Sequence, residues 1–187
     1  ELGYSLSDFE LWDGWLVLEE SSAERIVRDY LVPWFAPSLS RIRTIASGGA
    51  SKVSTTFEDL NRLFLFTHLT PAYRESSWVL VDGDDAGLKA IEKLREKFPT
   101  YGHDRFRALT KPAFEEYYPT IFSEKVRDVL AIGQESDRRA AKRQLLIEVM
   151  EWLDYDRHRG VAALSESAIE VIELLRGIEA SLKTRGG

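Results

Sequence analysis

Cysteine is absent from the 187 residues, and histidine occurs three times, at His68, His103 and His158. Without cysteine there is no disulfide, thiolate metal site, iron–sulfur cluster or cysteine nucleophile. Three histidines with no mutual spacing do not make a zinc site. No apolar run approaches the ~20 residues that a membrane helix needs. Basic residues are in deficit, 25 Lys and Arg against 31 Asp and Glu, for a net charge of −6. That balance excludes a globally basic nucleic-acid coat, but it leaves room for a local basic patch or a metal-neutralised acidic site. The opening Glu-Leu-Gly-Tyr has neither the basic start nor the apolar stretch of a signal peptide. A cytoplasmic protein without membrane segments is expected, its chemistry limited to carboxylates, Lys, Arg and hydroxyls.

What is present suits a packed core. Hydrophobic residues make up 44% of the chain and aromatics 11%, too many for disorder. Up to about residue 110, short β-rich runs alternate with helical stretches. Trp15-Leu16-Val17-Leu18 is an apolar run ending in Glu19-Glu20, Arg41–Ala46 alternates and stops at Ser47-Gly48-Gly49, and Trp78-Val79-Leu80-Val81 ends in Asp82-Gly83-Asp84-Asp85. Arg105–Leu109 reads as a fourth strand. Between them, Ser21-Ser22 offers an N-cap to a helix over Ala23–Phe35. Phe57, Leu60, Leu63 and Phe64 mark a second helix, and Leu88, Ile91 and Leu94 line one face of a third. Unbroken apolar strands alternating with helices predict a parallel sheet covered on both faces. After Pro112 the strands stop, and helices are predicted over Phe122–Ile132, Ser136–Tyr155 and Ser165–Leu182. The reading is an α/β domain over 12–111 and a small helical subdomain over 112–187. The C-terminal Arg-Gly-Gly is expected to fray, and the five tryptophans suit the core better than base stacking.

In open parallel sheets ligands sit beyond the carboxyl ends of the strands. Acids end two of these strands, and if those strands are neighbours their charges share one cleft. Carboxylates that close cannot all stay ionised unless cations neutralise them. Oxygen ligands without Cys or His select Mg²⁺ or Mn²⁺ over Zn²⁺. Asp-Gly-Asp-Asp alone reads equally as a turn. Glu20, a charge ending an apolar strand, favours a cleft, and Glu24 stands four residues on in the first helical turn, also a routine place for an acid. Gly48 and Gly49 would let backbone approach a phosphate closely, although an ordinary strand-to-helix turn is the commoner use of such a pair. Arg138, Arg139, Lys142 and Arg143 form a basic cluster that would suit nucleic acid, while a solvated helix face is the more frequent meaning of such a run.

A strand ending in Glu with an acid four residues later, a Gly-rich turn after the next strand, then a strand ending Asp-x-Asp resembles the Toprim pattern of topoisomerases, bacterial primases and several nucleases. Within that group, residues 12–155 are most similar to the C-terminal nuclease region of the OLD (overcoming lysogenization defect) family, class 2. Leu109-Thr110-Lys111-Pro112-Ala113-Phe114-Glu115-Glu116-Tyr117-Tyr118-Pro119 resembles a family stretch in which an acid precedes a Tyr, and the helix around Lys142 resembles the one bearing the family's catalytic lysine. Family members usually carry Gly after the first-strand Glu, whereas Ser21 follows Glu20 here. Matching Glu19 instead would leave Ala23 at the i+4 position, so Glu20 with Glu24 is the better match. Asp85 is an additional acid, able to replace Asp84 or stand behind it.

The resemblance implies a Toprim-type, Rossmann-like fold and two-metal hydrolysis of DNA. Glu20, Glu24, Asp82, Asp84 and Glu115 would hold two Mg²⁺ or Mn²⁺ ions, and Lys142 would neutralise charge on the phosphate. It also implies an ABC-type ATPase domain ahead of the nuclease; its phosphate-binding Gly-rich loop does not occur in this chain. Two other readings remain. One is a phosphohydrolase with Asp82 as nucleophile and Asp84 as general acid, as in the HAD phosphatases, which carry Asp-x-Asp on their first strand. The other is a receiver-like regulatory domain whose acidic pocket binds one Mg²⁺.

Overall fold

A computed structural model describes residues 12–66 and 70–184 of the chain; His68 and the C-terminal Arg-Gly-Gly lie outside them. Four parallel strands, β1 (Gly14–Leu18), β2 (Ile42–Ala46), β3 (Ser77–Val81) and β4 (Phe106–Ala108), form one sheet in the order β2-β1-β3-β4. The two acid-tipped strands are therefore neighbours. Leu18 pairs with Ala46 on one side and Leu80 on the other, so β3 ends one residue beyond β1.

All five residues of β1 and of β3 are buried, which explains why both read as unbroken apolar runs. Alternate side chains leave opposite faces. Trp15, Val17, Val79 and Val81 pack with α3 (Ala50–Phe66) and α5 (Asp85–Lys97) through Phe57, Phe64, Ile91 and Leu94. Leu16, Leu18, Trp78 and Leu80 meet the helical run after β1 and the helices beyond residue 112. One apolar cluster thus joins the sheet to the C-terminal helices α6 (Ser123–Leu130), α7 (Glu135–Tyr155), α8 (Arg157–Ser167) and α9 (Ile169–Lys183). Among the described residues no helix is long and apolar enough to cross a membrane.

Several local expectations need correction. The helix after β1 starts at Ser21, and its N-cap residue is Glu20, which makes no side-chain capping bond; the Ser22 hydroxyl donates to Glu115 instead. The run continues as α1 (Ser21–Ile26), a π-helical turn over Val27–Leu31 and α2 (Val32–Phe35). Pro33, just past the π turn, has no N–H with which to hold α spacing. The helix expected over Ser165–Leu182 is two helices, α8 and α9, broken at Ala168. In α8 only Gly160 and Leu164 are buried, so it carries no apolar period to read; Asp156 caps it by accepting from Arg159 N–H. Leu88 is exposed, and Ala90, Ile91 and Leu94 make the buried face of α5. The short helix α4 (Thr70–Tyr73) has no counterpart among the expectations.

Two glycines let the chain close over the tip of β3. A Cβ on Gly83 would lie 2.2 Å from Leu109 O and 2.9 Å from Lys111 O, and one on Gly87 would lie 2.1 Å from Asp82 O. Gly83 N–H donates to Lys111 O at 2.9 Å, drawing the segment after β4 across the end of β3. Gly83→Ala is expected to lower unfolding free energy by about 3 kcal/mol, since backbone rather than a movable side chain blocks the new methyl. Gly133→Ala, with nothing within 4 Å of the added carbon, should be near neutral; urea unfolding of the two variants checks the contrast.

Candidate active site at the strand tips

The end of β1 delivers two adjacent acids in opposite roles. Glu19 is buried and works as a strut: Oε1 accepts from Ala50 N–H at 3.0 Å, and Oε2 accepts from Asp82 N–H at 3.1 Å. Its carbonyl accepts from Gly48 N–H and Gly49 N–H, both at 2.9 Å. Gly48 and Gly49 have φ of 83° and 117°, conformations suited to glycine, and it is this turn that aims both N–H groups at Glu19. A phosphate near the loop would find those donors engaged. Burial raises the Glu19 carboxyl above its usual range, with Asp84 and Glu20 adding to the effect and the Asp82 and Ala50 amides opposing it.

Glu20 turns the other way. Lys142 Nζ lies 3.1 Å from Glu20 Oε2 and 3.1 Å from Glu115 Oε2, so a single ammonium joins the tip of β1 to the turn at Phe114–Tyr117. Glu115 is fully buried, and its Oε1 accepts from Ser22 Oγ at 3.2 Å. Burial works against the Lys142 charge, but Glu115 and Glu20 outweigh it and hold the ammonium above its ordinary pKa. On α7 the buried residues are Leu145, Val149 and Leu153. Lys142 sits one turn ahead of Leu145 on that inward stripe, which carries it to the acids.

Asp82, at the tip of β3, is 6% exposed. Burial, then the negative charges of Glu19, Glu115 and Glu20, push its carboxyl up to about 8, with Lys142 pulling the other way. Asp82, Glu20, Glu115 and Lys142 are the sequence-predicted residues that come together. The others are engaged elsewhere. Glu24 Oε1 accepts from Thr44 Oγ1 at 2.5 Å and from Arg28 at 2.7 Å. Asp84 caps α5 by accepting from Gly87 N–H at 2.7 Å, and Asp85 is exposed in that helix's first turn. Arg139 pairs with Glu135, Arg138 reaches Ile132 O at 3.4 Å, and Arg143 is exposed. Among the described residues, no three Asp, Glu or His side chains converge as a ready metal cage.

Three contributors were absent from the sequence-predicted site: Ser22, expected only as a helix cap, Glu19 as a strut, and Tyr118. Tyr118 is 3% exposed. Burial raises its phenol well above the ordinary value, Glu115, Glu20 and Asp82 add to this, and Ser22 opposes it. The only signal was its place three residues after Glu115. Tyr117, its neighbour, is part of a latch instead. Its hydroxyl bonds Glu170 and accepts from Lys111 N–H at 3.1 Å, while Thr110 donates to the same Glu170 carboxylate from both N and Oγ1. The latch ties the Glu115 segment to α9. A separate cleft between sheet and α9, lined by Leu16, Trp78, Leu80, Leu174 and Ile178, includes none of these acids except Glu170 of the latch.

The raised Asp82 carboxyl makes stability depend on pH. A folded pKa near 8, against 3.8 for the free group, means that the folded state binds more protons than the unfolded between those values, so unfolding free energy falls as pH rises. In EDTA the protein is expected to be more stable at pH 5 than at pH 8, by an amount on the order of a few kcal/mol. Asp82→Asn should flatten that slope, as read from urea unfolding at both pH values; an equal slope in the variant would clear Asp82 as its source.

No family model matches this chain, and no curated protein or solved structure is significantly similar to it.

Proposed function

We propose that this chain is a Toprim-type, metal-dependent DNA nuclease domain similar to the C-terminal region of class 2 OLD nucleases, with residues 12–111 as the catalytic part and 112–187 as a helical subdomain. The observation that carries the reading is the buried Asp82 at the tip of β3, beside Glu19 and Glu20 at the tip of the neighbouring strand, with Glu115 across from it and one lysine bridging Glu20 and Glu115. So many acids facing one ammonium leave negative charge uncompensated, which favours a further cation. The donor set fits a hard ion, since every side chain offered is an oxygen ligand and the described residues present no sulfur or imidazole there.

Glu20, Asp82 and Glu115 would hold Mg²⁺ or Mn²⁺, with Glu24 and Asp84 supplying the further ligands of a second ion once released from Thr44, Arg28 and the α5 cap. When bound, divalent ions supply an activated water and a counter-charge for the leaving oxygen. The chain's own residues do the rest. Glu20, the more exposed of the two acids that hold Lys142, forms the mouth of the site. Buried Asp82 and Glu115 form its floor. Lys142 is held by carboxylates in a mostly water-excluded place, where a fixed positive charge stabilises charge growing on a phosphate far more than it would in water. Exposed Arg139 and Arg143, with Arg138 beside them, would meet the DNA backbone. DNA is the partner, an ABC-type ATPase domain would accompany the nuclease in the whole protein, and its place would be the cytoplasm.

Supercoiled plasmid is expected to be nicked or linearised with Mg²⁺, at least as well with Mn²⁺, and not in EDTA; cleavage persisting in EDTA after repurification would overturn the metal mechanism. Lys142→Gln keeps hydrogen bonding but removes the charge, and should lower single-turnover cleavage by roughly 100-fold with little change in DNA affinity. Arg139→Ala should do the reverse, weakening binding and reducing the salt slope by about one. A lysine variant that behaves like the arginine variant would place Lys142 in the basic patch alone.

A further inference from the structure

Adjacent tyrosines follow Glu115, and their hydroxyls meet opposite fates. Tyr117 is saturated by the latch to Glu170 and Lys111. The Tyr118 hydroxyl is buried and has no hydrogen-bond partner among the described residues. It faces the charges of Glu115, Glu20 and Asp82. The donors around it are committed: Ser22 gives its hydrogen to Glu115 Oε1, and Lys142 is shared by Glu20 and Glu115. Beside it the Phe114 ring stands edge-on at 6.4 Å, and Ser22, the hydroxyl near enough to act on the phenol, does not meet it in hydrogen-bond geometry.

A buried hydroxyl without a partner is costly, and a Phe of the same shape would avoid the cost. Such a group calls for a partner that arrives from outside. We infer that the Tyr118 hydroxyl is the donor that receives an oxygen atom entering the acid cluster with a divalent cation, either a water or a phosphate oxygen. This rests on the metal-dependent reading above and adds a positioning residue to it. Tyr118 suits the task because the latch at Tyr117 immobilises the backbone on which it stands, and because acids ionised to hold a cation can only accept.

Tyr118→Phe tests the inference on the full chain. Without metal the variant should unfold at the same urea concentration as the parent or a higher one, since no bond is lost. By calorimetry, Mn²⁺ should bind the variant roughly tenfold more weakly than the parent if the oxygen is a water. If it is a phosphate oxygen, that loss should appear only when thymidine 5′-monophosphate is present with Mn²⁺. Equal affinities in both arms overturn the role of Tyr118 and leave the metal site standing. A variant destabilised in EDTA also overturns it, because the hydroxyl would then have an internal partner. A parent protein that binds no Mn²⁺ at all removes the metal-dependent reading, and this inference with it.

Discussion

One ammonium holds three parts of this molecule together. Lys142 on α7 stands between Glu20 at the end of β1 and Glu115 in the turn after β4. A fully buried carboxylate such as Glu115 is tolerable only with a partner of opposite charge or a strong donor, and it has both, in Lys142 and Ser22. The helical region beyond residue 112 is therefore joined to the sheet by electrostatics as well as by the apolar cluster that links Leu16 and Leu80 to Leu145 and Leu175. Take the lysine away and a buried acid faces other acids.

The backbone is arranged to tolerate that concentration of charge. Glu19 spends its carboxylate on the amides of Ala50 and Asp82 and its carbonyl on Gly48 and Gly49, cross-linking the tips of β1 and β3 and the turn after β2. Gly83 and Gly87 admit the neighbouring backbone so closely that Asp82 is enclosed. Thr110, Lys111 and Tyr117 then anchor the Glu115 segment to Glu170 on α9. Each device removes a freedom that mutually repelling acids would otherwise use to move apart.

Like residues in the same short motif do different work. Asp82 is buried among acids while Asp84, two positions on, caps a helix. Glu19 braces the backbone while Glu20 meets the lysine. Tyr117 locks a loop while Tyr118 is turned toward the carboxylates. Successive side chains at a strand tip or in a tight turn leave the backbone in different directions, so proximity in sequence carries little information about shared function.

The parallel sheet, its two covered faces and the acids at the strand tips were legible in the residues because burial on both faces writes itself as unbroken apolar runs in β1 and β3, and the acids directly follow those runs; that β1 and β3 lie side by side was decided by the sheet order. The break at Ala168 was not legible, because α8 buries too little to show a period. Nor could the residues alone separate Lys142 from Arg138, Arg139 and Arg143, since a basic run looks the same whichever way it faces. Only the docking of α7 turned Lys142 inward to Glu20 and Glu115 and left Arg139 and Arg143 in solvent. The same holds for Ser22 and Tyr118, whose meeting with Glu115 and Asp82 depends on contacts between segments up to 93 residues apart. Local pattern determines which strands and helices form; which polar groups then confront one another is set by how those elements pack.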